Sequence, residues 1–216
     1  FQNKAAFSRD DEAEMTFAGF LLFLDPPKEG VRETLAALAN RGIGVKVISG
    51  DNRYVAAHLA EAVGLRSDRI MTGDDLSKLT KNGLLAGVRK IDLFVEIDPN
   101  QKERIVEALR RSGHVVGYLG DGINDGPALA QANLGIAVTG ASDVAKESAD
   151  IVLVNASVAK VPEALRLSAE TLAVIQQNLF WAFIYNAIAI PLAAAGLMSP
   201  IICALAMGLS DVCVVA

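Results

Sequence analysis

The chain has 216 residues, a formal net charge of −5, and hydrophobic residues at 52% of its positions. Lysine and arginine are scattered rather than clustered, which excludes the basic surface by which most proteins bind nucleic acid. The two cysteines form no CxxC pair, so neither a disulfide framework nor a cysteine zinc site is indicated. The hydrophobic content is high for a water-soluble domain, and we therefore expect part of the chain to face a membrane.

Six short apolar segments in the first 155 residues predict buried β-strands. In chain order they are 17–25, 44–51, 92–97, 114–121, 134–138 and 150–154. Four segments between them carry apolar residues at helical spacing: Lys28–Arg41, Asn52–Val63, Asn100–Arg111 and Ser142–Ala149. Strands that alternate with helices predict a Rossmann-like, doubly wound α/β fold with a parallel sheet, in which ligands bind at the carboxyl ends of the strands.

The last part of the chain differs in composition, because no charged residue and no histidine occurs between Thr171 and Ser210. These 40 residues are enough for two membrane-spanning helices of about 20 residues each, with 198–200 as the turn. The alternative is a pair of buried core helices, but helices of soluble proteins normally keep a polar face. The sequence therefore predicts a transmembrane helical hairpin and an integral membrane protein.

We expect three parts along the chain: a tail of a preceding domain at 1–16, an α/β domain at 17–157, and a stalk helix with two transmembrane helices at 158–216. Lys160 and Arg166 precede the first predicted span, which places the α/β domain on the cytoplasmic side. The chain begins without a methionine and stops inside an apolar run, so we expect it to be a fragment of a longer protein.

The loop GDGINDGPAL carries the first group of candidate site residues. Asp121 ends an apolar strand, Gly122 permits a tight turn, and Asn124 and Asp125 precede a helix that Pro127 opens. Carboxylate and amide oxygens are the ligands that Mg²⁺ prefers. An ordinary capped turn is the alternative. Because two other segments carry matching phosphate chemistry, we predict a magnesium site with Asp121 and Asp125 as ligands.

Those two segments follow other predicted strands. Ser49, Gly50 and Asp51 lie at a helix start, where a hydroxyl and backbone N–H groups can hold a phosphoryl oxygen. Lys102 lies at the start of a later helix and can neutralise phosphate charge. Alone, these residues would be an N-cap and a surface lysine. Together with the loop they predict a phosphoryl-transfer site, whose catalytic residues would be Ser49, Gly50, Asp51, Lys102, Asn124 and Asp125.

These motifs resemble a known family. Ser49, Lys102 and the 121–125 loop are similar to the second, third and fourth motifs of the haloacid dehalogenase superfamily. More narrowly, LDPPKEGV, VISGDN, DPNQKERIVEAL, GYLGDGINDGPAL and SDVAKESADIVLV resemble the phosphorylation domain of P-type cation-transporting ATPases. The resemblance implies an ATP-driven pump of the plasma (inner) membrane, in which an aspartate of a DKTGT sequence is phosphorylated and the cycle moves a metal cation through the membrane helices.

The resemblance also implies roles for single residues. Asp121 would be a magnesium ligand, and Asn124 and Asp125 would organise the loop. Ser49 and Asp51 would contact the phosphoryl group, whose charge Lys102 would stabilise. The implied cofactors are Mg²⁺ and ATP, with ATP bound through a nucleotide-binding domain that this sequence lacks.

One departure from the family is large, because no DKTGT occurs in the sequence. Without that nucleophile we expect the chain alone to be inactive. Asp25 also ends an apolar strand, where simple phosphatases of the superfamily place their nucleophile. Pro26 and Pro27 then occupy the positions where such enzymes need an acid or a hydroxyl. The alternatives are therefore a phosphatase that uses Asp25 and a non-catalytic, membrane-anchored module.

The transported ion is indicated by two conflicting resemblances. QNLFWAFIYNAIAIPLAAAGL, with Tyr185 and Asn186, resembles a span of copper-exporting pumps in which a Tyr-Asn pair helps bind the ion. Their next span carries Met-x-x-Ser-Ser, and here Met207, Ser210 and Asp211 are the corresponding candidate ligands, although a carboxylate favours harder ions than a thioether does.

The α/β half instead resembles magnesium-transporting pumps in GFLLFLDPPKEGV, GDDLSKL and GHVVGYLGDGIND. Because the ion is selected in the membrane spans, the sequence favours a transition metal such as copper, with magnesium as the alternative.

Overall fold

The computed structural model describes residues 16–21, 26–154 and 157–197, together with 199, 201, 204, 205 and 208. Its helices are α1 (Val31–Ala39), α2 (Arg53–Ala62), α3 (Gly73–Lys78), α4 (Lys81–Gly87), α5 (Pro99–Arg111), α6 (Gly126–Gln131), α7 (Asp143–Ser148) and α8 (Lys160–Ala194). Its strands are β1 (Val47–Ile48), β2 (Ile70–Thr72), β3 (Leu93–Val95), β4 (Gly117–Gly120), β5 (Leu134–Val138) and β6 (Ile151–Leu153).

The strands form two parallel sheets of three strands each. The first has the order β1-β3-β2, and the second has the order β4-β5-β6. The central strand β3 is buried along its whole length, as expected for a parallel sheet covered on both faces. The parallel α/β fold predicted from the sequence is therefore confirmed, with its strands divided between two sheets.

The two sheets share core contacts. Ile48 of β1 and Val116 before β4 each pack against both of the main core clusters, one around Phe94 and Ile105 and the other around Tyr118. Within the described residues, however, β1 pairs only with β3, and β4 pairs only with β5. In the part of the chain that the structure describes, each of these two strands therefore has one open edge, along which no other strand pairs.

Helix α5 connects the sheets and positions Lys102. Pro99 opens the helix, and Gln101 Oε1 accepts the Asp98 N–H at 3.0 Å, which satisfies one N–H group at the helix start. The apolar face of α5 buries Ile105 and Leu109 in the first core cluster. This packing fixes the first turn of α5, and with it Lys102, beside the loop that follows β4.

Some predicted elements differ from the structure. The strand predicted at 17–25 is wrong where the structure describes it: 17–21 form no strand, and Phe17, Phe20 and Leu21 are exposed. An apolar run becomes a buried strand only when another surface covers it, and no described part of the chain covers this one. Asp25 and the rest of 22–25 lie outside the described residues.

The prediction also missed β2, α3 and α4. Strand β2 has three residues, too few to show a period, and α3 starts at a glycine. Capping stabilises this short helix, because the Thr72 Oγ1 accepts the Asp75 N–H and the Asp75 Oδ2 accepts the Thr72 N–H, both at 3.2 Å.

Helix α8 is long and apolar enough to cross a membrane, by its length and composition. Its 35 residues extend about 52 Å, more than the roughly 30 Å of a bilayer core. None of its apolar window is buried against other described residues. The predicted stalk and first span thus form one continuous helix. The second span lies almost entirely outside the described residues, so the hairpin stays a prediction.

Candidate active site

The buried Asp125 carboxylate organises the loop that follows β4. The chain passes through Asp121 and Gly122 into a 3-10 turn, Ile123–Asp125, before α6 begins. Asp125 is only 6% exposed, and its Oδ2 accepts the N–H groups of Asp121 at 3.2 Å and of Gly122 at 3.0 Å. The carboxylate therefore folds back onto the backbone of its own loop.

The second oxygen of Asp125 binds two side chains. Its Oδ1 accepts the Lys102 ammonium and the Tyr118 hydroxyl, each at 2.8 Å. Four donors therefore satisfy the four lone-pair positions of the carboxylate. Burial alone would raise the pKa of Asp125, but the hydrogen bonds from Lys102, Gly122 and Tyr118 outweigh burial and hold this pKa below its usual value. Asp125 is therefore an ionised anchor of the loop.

This geometry separates the two aspartates that the sequence predicted as magnesium ligands. Asp121 is exposed at the strand end, and its backbone oxygen accepts the Ser142 N–H at 2.9 Å, which ties the loop to the start of α7. Within the described residues no donor contacts the Asp121 carboxylate, which leaves it available to a cation. The ligand role of Asp125 stays a prediction, since protein donors take its lone pairs. Asn124 is exposed on the same turn.

Ser49, Gly50 and Asp51 form a compact turn at the end of β1. The Ser49 hydroxyl donates to Asp51 Oδ2 at 2.8 Å, and the Asp51 N–H donates to Ser49 Oγ at 3.1 Å. Asn52 Oδ1 then accepts the Tyr54 N–H at 2.9 Å and caps α2. Since Gly50 and Asp51 are exposed, a phosphoryl group can reach the N–H groups of this turn.

The structure adds a residue pair that no sequence motif indicates. Glu96 follows β3 with φ 56°, in the left-handed region that few residues other than glycine adopt. Its Oε1 accepts the Arg53 N–H at 3.2 Å and Arg53 Nε at 3.1 Å, while its Oε2 accepts Nη2 at 2.9 Å. These bonds from Arg53 lower the pKa of Glu96.

This pair, which we call the Glu96–Arg53 clasp, also contacts the turn after β1. The Glu96 N–H donates to the Asp51 backbone oxygen at 3.0 Å, and the Ile97 N–H donates to that of Ser49 at 3.1 Å. The residues of the clasp are 43 positions apart, so no local pattern could reveal them. The clasp joins the end of β3 to the start of α2 and supports the turn between β1 and α2.

The structure brings some predicted site residues together and leaves others apart. Lys102 contacts Asp125 directly, whereas the Ser49 turn and the Asp121 loop follow β1 and β4 without a hydrogen bond between them in the described chain.

The described residues contain no cluster of three or more His, Cys, Asp or Glu side chains suited to a metal. Mg²⁺ does not require such a cluster, because one or two carboxylates with water and phosphate oxygens suffice. The exposed Asp121 carboxylate fits this coordination.

The predicted ion-binding residues are only partly described. Tyr185 and Asn186 lie on α8, where Asn186 Nδ2 donates to the Ala182 backbone oxygen at 3.0 Å. Trp181 lies one turn earlier, with its ring centroid 6.4 Å from that of Tyr185. The other candidate ligands, Met207, Ser210 and Asp211, lie outside the described residues.

The comparisons with known proteins agree with the motifs. A family model described as haloacid dehalogenase-like hydrolase matches residues 3–133. The chain is 43% identical over 169 residues to the magnesium-transporting ATPase, P-type 1, of Salmonella typhimurium, covering 78% of this chain and 19% of that protein. It is 39% identical over 197 residues to the copper-exporting P-type ATPase of Mycobacterium tuberculosis, covering 91% and 23%.

Among solved structures, a zinc-transporting PIB-type ATPase in the E2.Pi state aligns with 88% of this chain and 27% of that chain, with a TM-score of 0.71 and 25% identity. The similarity to P-type cation-transporting ATPases predicted from the motifs is confirmed. The chain spans about a fifth of the length of these relatives. With residues 3–133 matched by the family model, the chain belongs to the haloacid dehalogenase-like hydrolase family.

Proposed function

We propose that this chain is the phosphorylation domain and part of the membrane region of an ATP-driven P-type cation pump. The observation that carries the proposal is the Lys102–Asp125 ion pair, which holds the Asp121 loop at the carboxyl end of β4. The activity belongs to the longer protein, which cycles through an aspartyl phosphate and moves a metal cation across the plasma (inner) membrane. The α/β domain lies on the cytoplasmic side, and ATP binds through a separate nucleotide-binding domain.

Different side chains have different roles in the proposed phosphoryl transfer. Asp121 would hold Mg²⁺, which would supply positive charge near the phosphoryl oxygens, while Asn124 and Asp125 hold the loop. The Gly50 N–H binds those oxygens at the end of β1, and the Ser49 hydroxyl and the Asp51 N–H join it by exchanging their bonds to each other for bonds to phosphate. The Lys102 ammonium, which donates to Asp125 in this structure, stabilises the phosphate charge when it turns towards the phosphoryl group.

The nucleophile comes from a segment that this sequence does not contain. The open edges of β1 and β4 support this proposal, because a strand paired to either edge and parallel to it would end at the level of Ser49 and Asp121. An aspartate at that strand end would face both loops. The chain alone is then inactive. Asp25 lies outside the described residues, and a phosphatase that uses it remains the competing proposal, together with a non-catalytic membrane module.

For the transported ion we propose a transition metal, with magnesium as the alternative. A match of 197 residues in a chain of 216 begins at residue 20 or earlier and ends at residue 197 or later. The similarity to the copper-exporting relative therefore includes all of α8. A match of 169 residues to the magnesium-transporting relative can end at residue 169 and so leave out most of that helix. The proposed ion ligands are Tyr185, Asn186, Met207, Ser210 and Asp211. Stimulation of ATPase activity across a panel of metals distinguishes the two candidates, and stimulation by magnesium alone would reject the transition metal.

The pump proposal predicts that the full-length protein forms an acid-stable, hydroxylamine-sensitive phosphoenzyme from ATP. Asp121→Asn removes a charge from the magnesium site, so we expect at least about a tenfold loss of magnesium-dependent turnover. The matched control is Asp68→Asn, at an exposed position before β2 and thus at the opposite end of the strands. Turnover in Asp121→Asn equal to that of the control would contradict the ligand role.

The phosphatase alternative needs its own measurement. If the 216-residue chain in detergent hydrolyses p-nitrophenyl phosphate, and Asp25→Asn abolishes this hydrolysis, then the chain acts without an external nucleophile. We expect no hydrolysis by either protein, because Pro26 and Pro27 supply no acid for the leaving group. A full-length protein without any phosphoenzyme would instead favour the non-catalytic module.

A further inference from the structure

Tyr118 is a buried polar residue of β4 that the mechanism above does not use. It is 8% exposed and packs in the second core cluster, whose other members are all apolar: Val106, Ala128, Leu129, Ala137, Ala141 and Ala145. A hydroxyl in such surroundings requires a partner. That partner is Asp125 Oδ1, at 2.8 Å.

The Tyr118 hydroxyl is not needed to fill the core. A phenylalanine would fill nearly the same volume in this apolar cluster and would need no hydrogen bond. The O–H group of Tyr118 therefore acts on Asp125, through a hydrogen bond that the carboxylate charge strengthens. A tyrosine hydroxyl carries its proton at neutral pH, and here it donates that proton to Asp125 Oδ1 at 2.8 Å.

Tyr118 shares its acceptor atom with Lys102. Asp125 Oδ1 accepts both groups at 2.8 Å, while Oδ2 accepts the N–H groups of Asp121 and Gly122. If the Lys102 ammonium turns towards a phosphoryl group, Oδ1 loses one of its two donors. The Tyr118 hydroxyl then remains as the donor that keeps the carboxylate from moving.

We propose that Tyr118 is a positioning residue of the phosphoryl-transfer site: its hydroxyl holds Asp125 in place, so that the Asp121 loop keeps its conformation for Mg²⁺ while Lys102 moves between Asp125 and phosphate. This inference rests on the proposed function. Tyr118 then has a role in addition to packing. It acts through Asp125 and does not contact the substrate.

The test is Tyr118→Phe, which removes one oxygen atom and keeps the ring. The matched control is Tyr54→Phe, the same change at a side chain that is 78% exposed. In the full-length protein we expect Tyr118→Phe to raise the Mg²⁺ concentration for half-maximal phosphoenzyme formation about 3- to 10-fold, a part of the effect of one charge-assisted hydrogen bond. The maximal phosphoenzyme level should change by a smaller factor than the Mg²⁺ concentration for half-maximal formation does.

A second measurement does not depend on activity. In the 216-residue chain in detergent, amide hydrogen exchange of Asp121 and Gly122 should become faster in Tyr118→Phe, because their acceptor is held less firmly. Exchange in β3 and α5 should stay as in the wild type. Tyr54→Phe should change neither region.

Unchanged exchange at Asp121 and Gly122 would overturn the inference, and so would an unchanged magnesium dependence in an active protein. Equally faster exchange throughout β3 and α5 would also overturn it, since that result indicates a general loss of stability. A wild-type protein that forms no phosphoenzyme would overturn the proposed function, and the exchange measurement would still decide whether Tyr118 holds the loop.

Discussion

At the scale of single residues, the close approach of Asp125 to its own loop depends on Gly120. A Cβ atom at position 120 would lie 2.7 Å from Asp125 Cβ and 2.9 Å from its Cγ and Oδ2. Real Cβ atoms do not come this close, so any larger residue would push the carboxylate off the loop. On the same strand, a Cβ at Gly117 would meet only the Leu134 backbone oxygen, at 3.9 Å. The two glycines of β4 therefore differ in their tolerance of a side chain.

We predict that Gly120→Ala destabilises the chain by about 1–3 kcal/mol, the usual cost of forcing atoms into a packed site. Gly117→Ala, the matched control, should change stability by no more than about 0.5 kcal/mol. Chemical denaturation in detergent, followed by far-ultraviolet circular dichroism, measures both. Equal effects of the two substitutions would show that the approach of Asp125 does not constrain position 120.

The sequence indicates candidate residues in the loop but not the residues that support them. Asp121, Asp125 and Lys102 could be selected because acids at strand ends and a lysine at a helix start form a local pattern. Tyr118 could not, because within an apolar strand a tyrosine indicates only packing. The sequence also shows no difference between the two aspartates, which lie four positions apart. Only the structure shows that Asp125 is buried and fully hydrogen-bonded while Asp121 is exposed.

At the scale of elements, the Glu96–Arg53 clasp connects β3 with α2. Glu96 adopts a left-handed conformation there and still makes three hydrogen bonds to Arg53. A backbone conformation of this kind persists where surrounding contacts enforce it. A Cβ at Gly73 would lie 2.2 Å from the Glu96 backbone oxygen, so the start of α3 presses against the same bend.

The clasp predicts a pH dependence. Because the native pKa of Glu96 is lowered, its contribution to stability is present above about pH 4.3, the unfolded value, and is lost as pH falls through the native pKa. Glu96→Gln lacks this contribution, so its unfolding midpoint should lie below that of the wild type near neutral pH and approach it in acid. Glu33→Gln, an exposed change on α1, is the control. A gap between wild type and Glu96→Gln that does not vary with pH would contradict the role of the charge.

Among the elements, most of those with an apolar pattern were predicted, and the three that were missed are short. Helix α5 has a proline start and a clear apolar face, and β5 is a five-residue apolar run; both were predicted nearly to their ends. Strand β2 and helices α3 and α4 depend on capping and on tertiary packing, which short windows do not show. Residues 17–21 show the converse error: their apolar pattern predicted a strand, but no described part of the chain packs against them.

At the scale of the whole molecule, α8 extends from the α/β domain for about 52 Å. Helix α1 packs against it, and its later residues are apolar and exposed. Crossing a bilayer takes only about 20 residues, so if α8 spans a membrane, the rest of its 35 residues would reach from the membrane to the domain.

Trp181 provides a direct test of this arrangement, because it is the only tryptophan of the sequence. If α8 crosses a membrane, Trp181 lies near the interface, where tryptophan is enriched. We predict that lipids brominated on the acyl chain quench its fluorescence in liposomes, most strongly with bromine at a shallow position. Trp181→Phe gives the background signal. Emission that no brominated lipid quenches would show that α8 is not in the bilayer.

The open edges of β1 and β4 have a consequence for the chain when it is produced alone. An edge that lacks a neighbour presents free N–H and C=O groups to any other extended chain, and natural edge strands are usually protected by charges or by proline. Strand β4, GYLG, has neither. Copies of the isolated chain should therefore associate with one another as their concentration rises, and light scattering would detect it. If the chain is part of the longer pump proposed above, the segment that pairs with these strands would also protect them against aggregation.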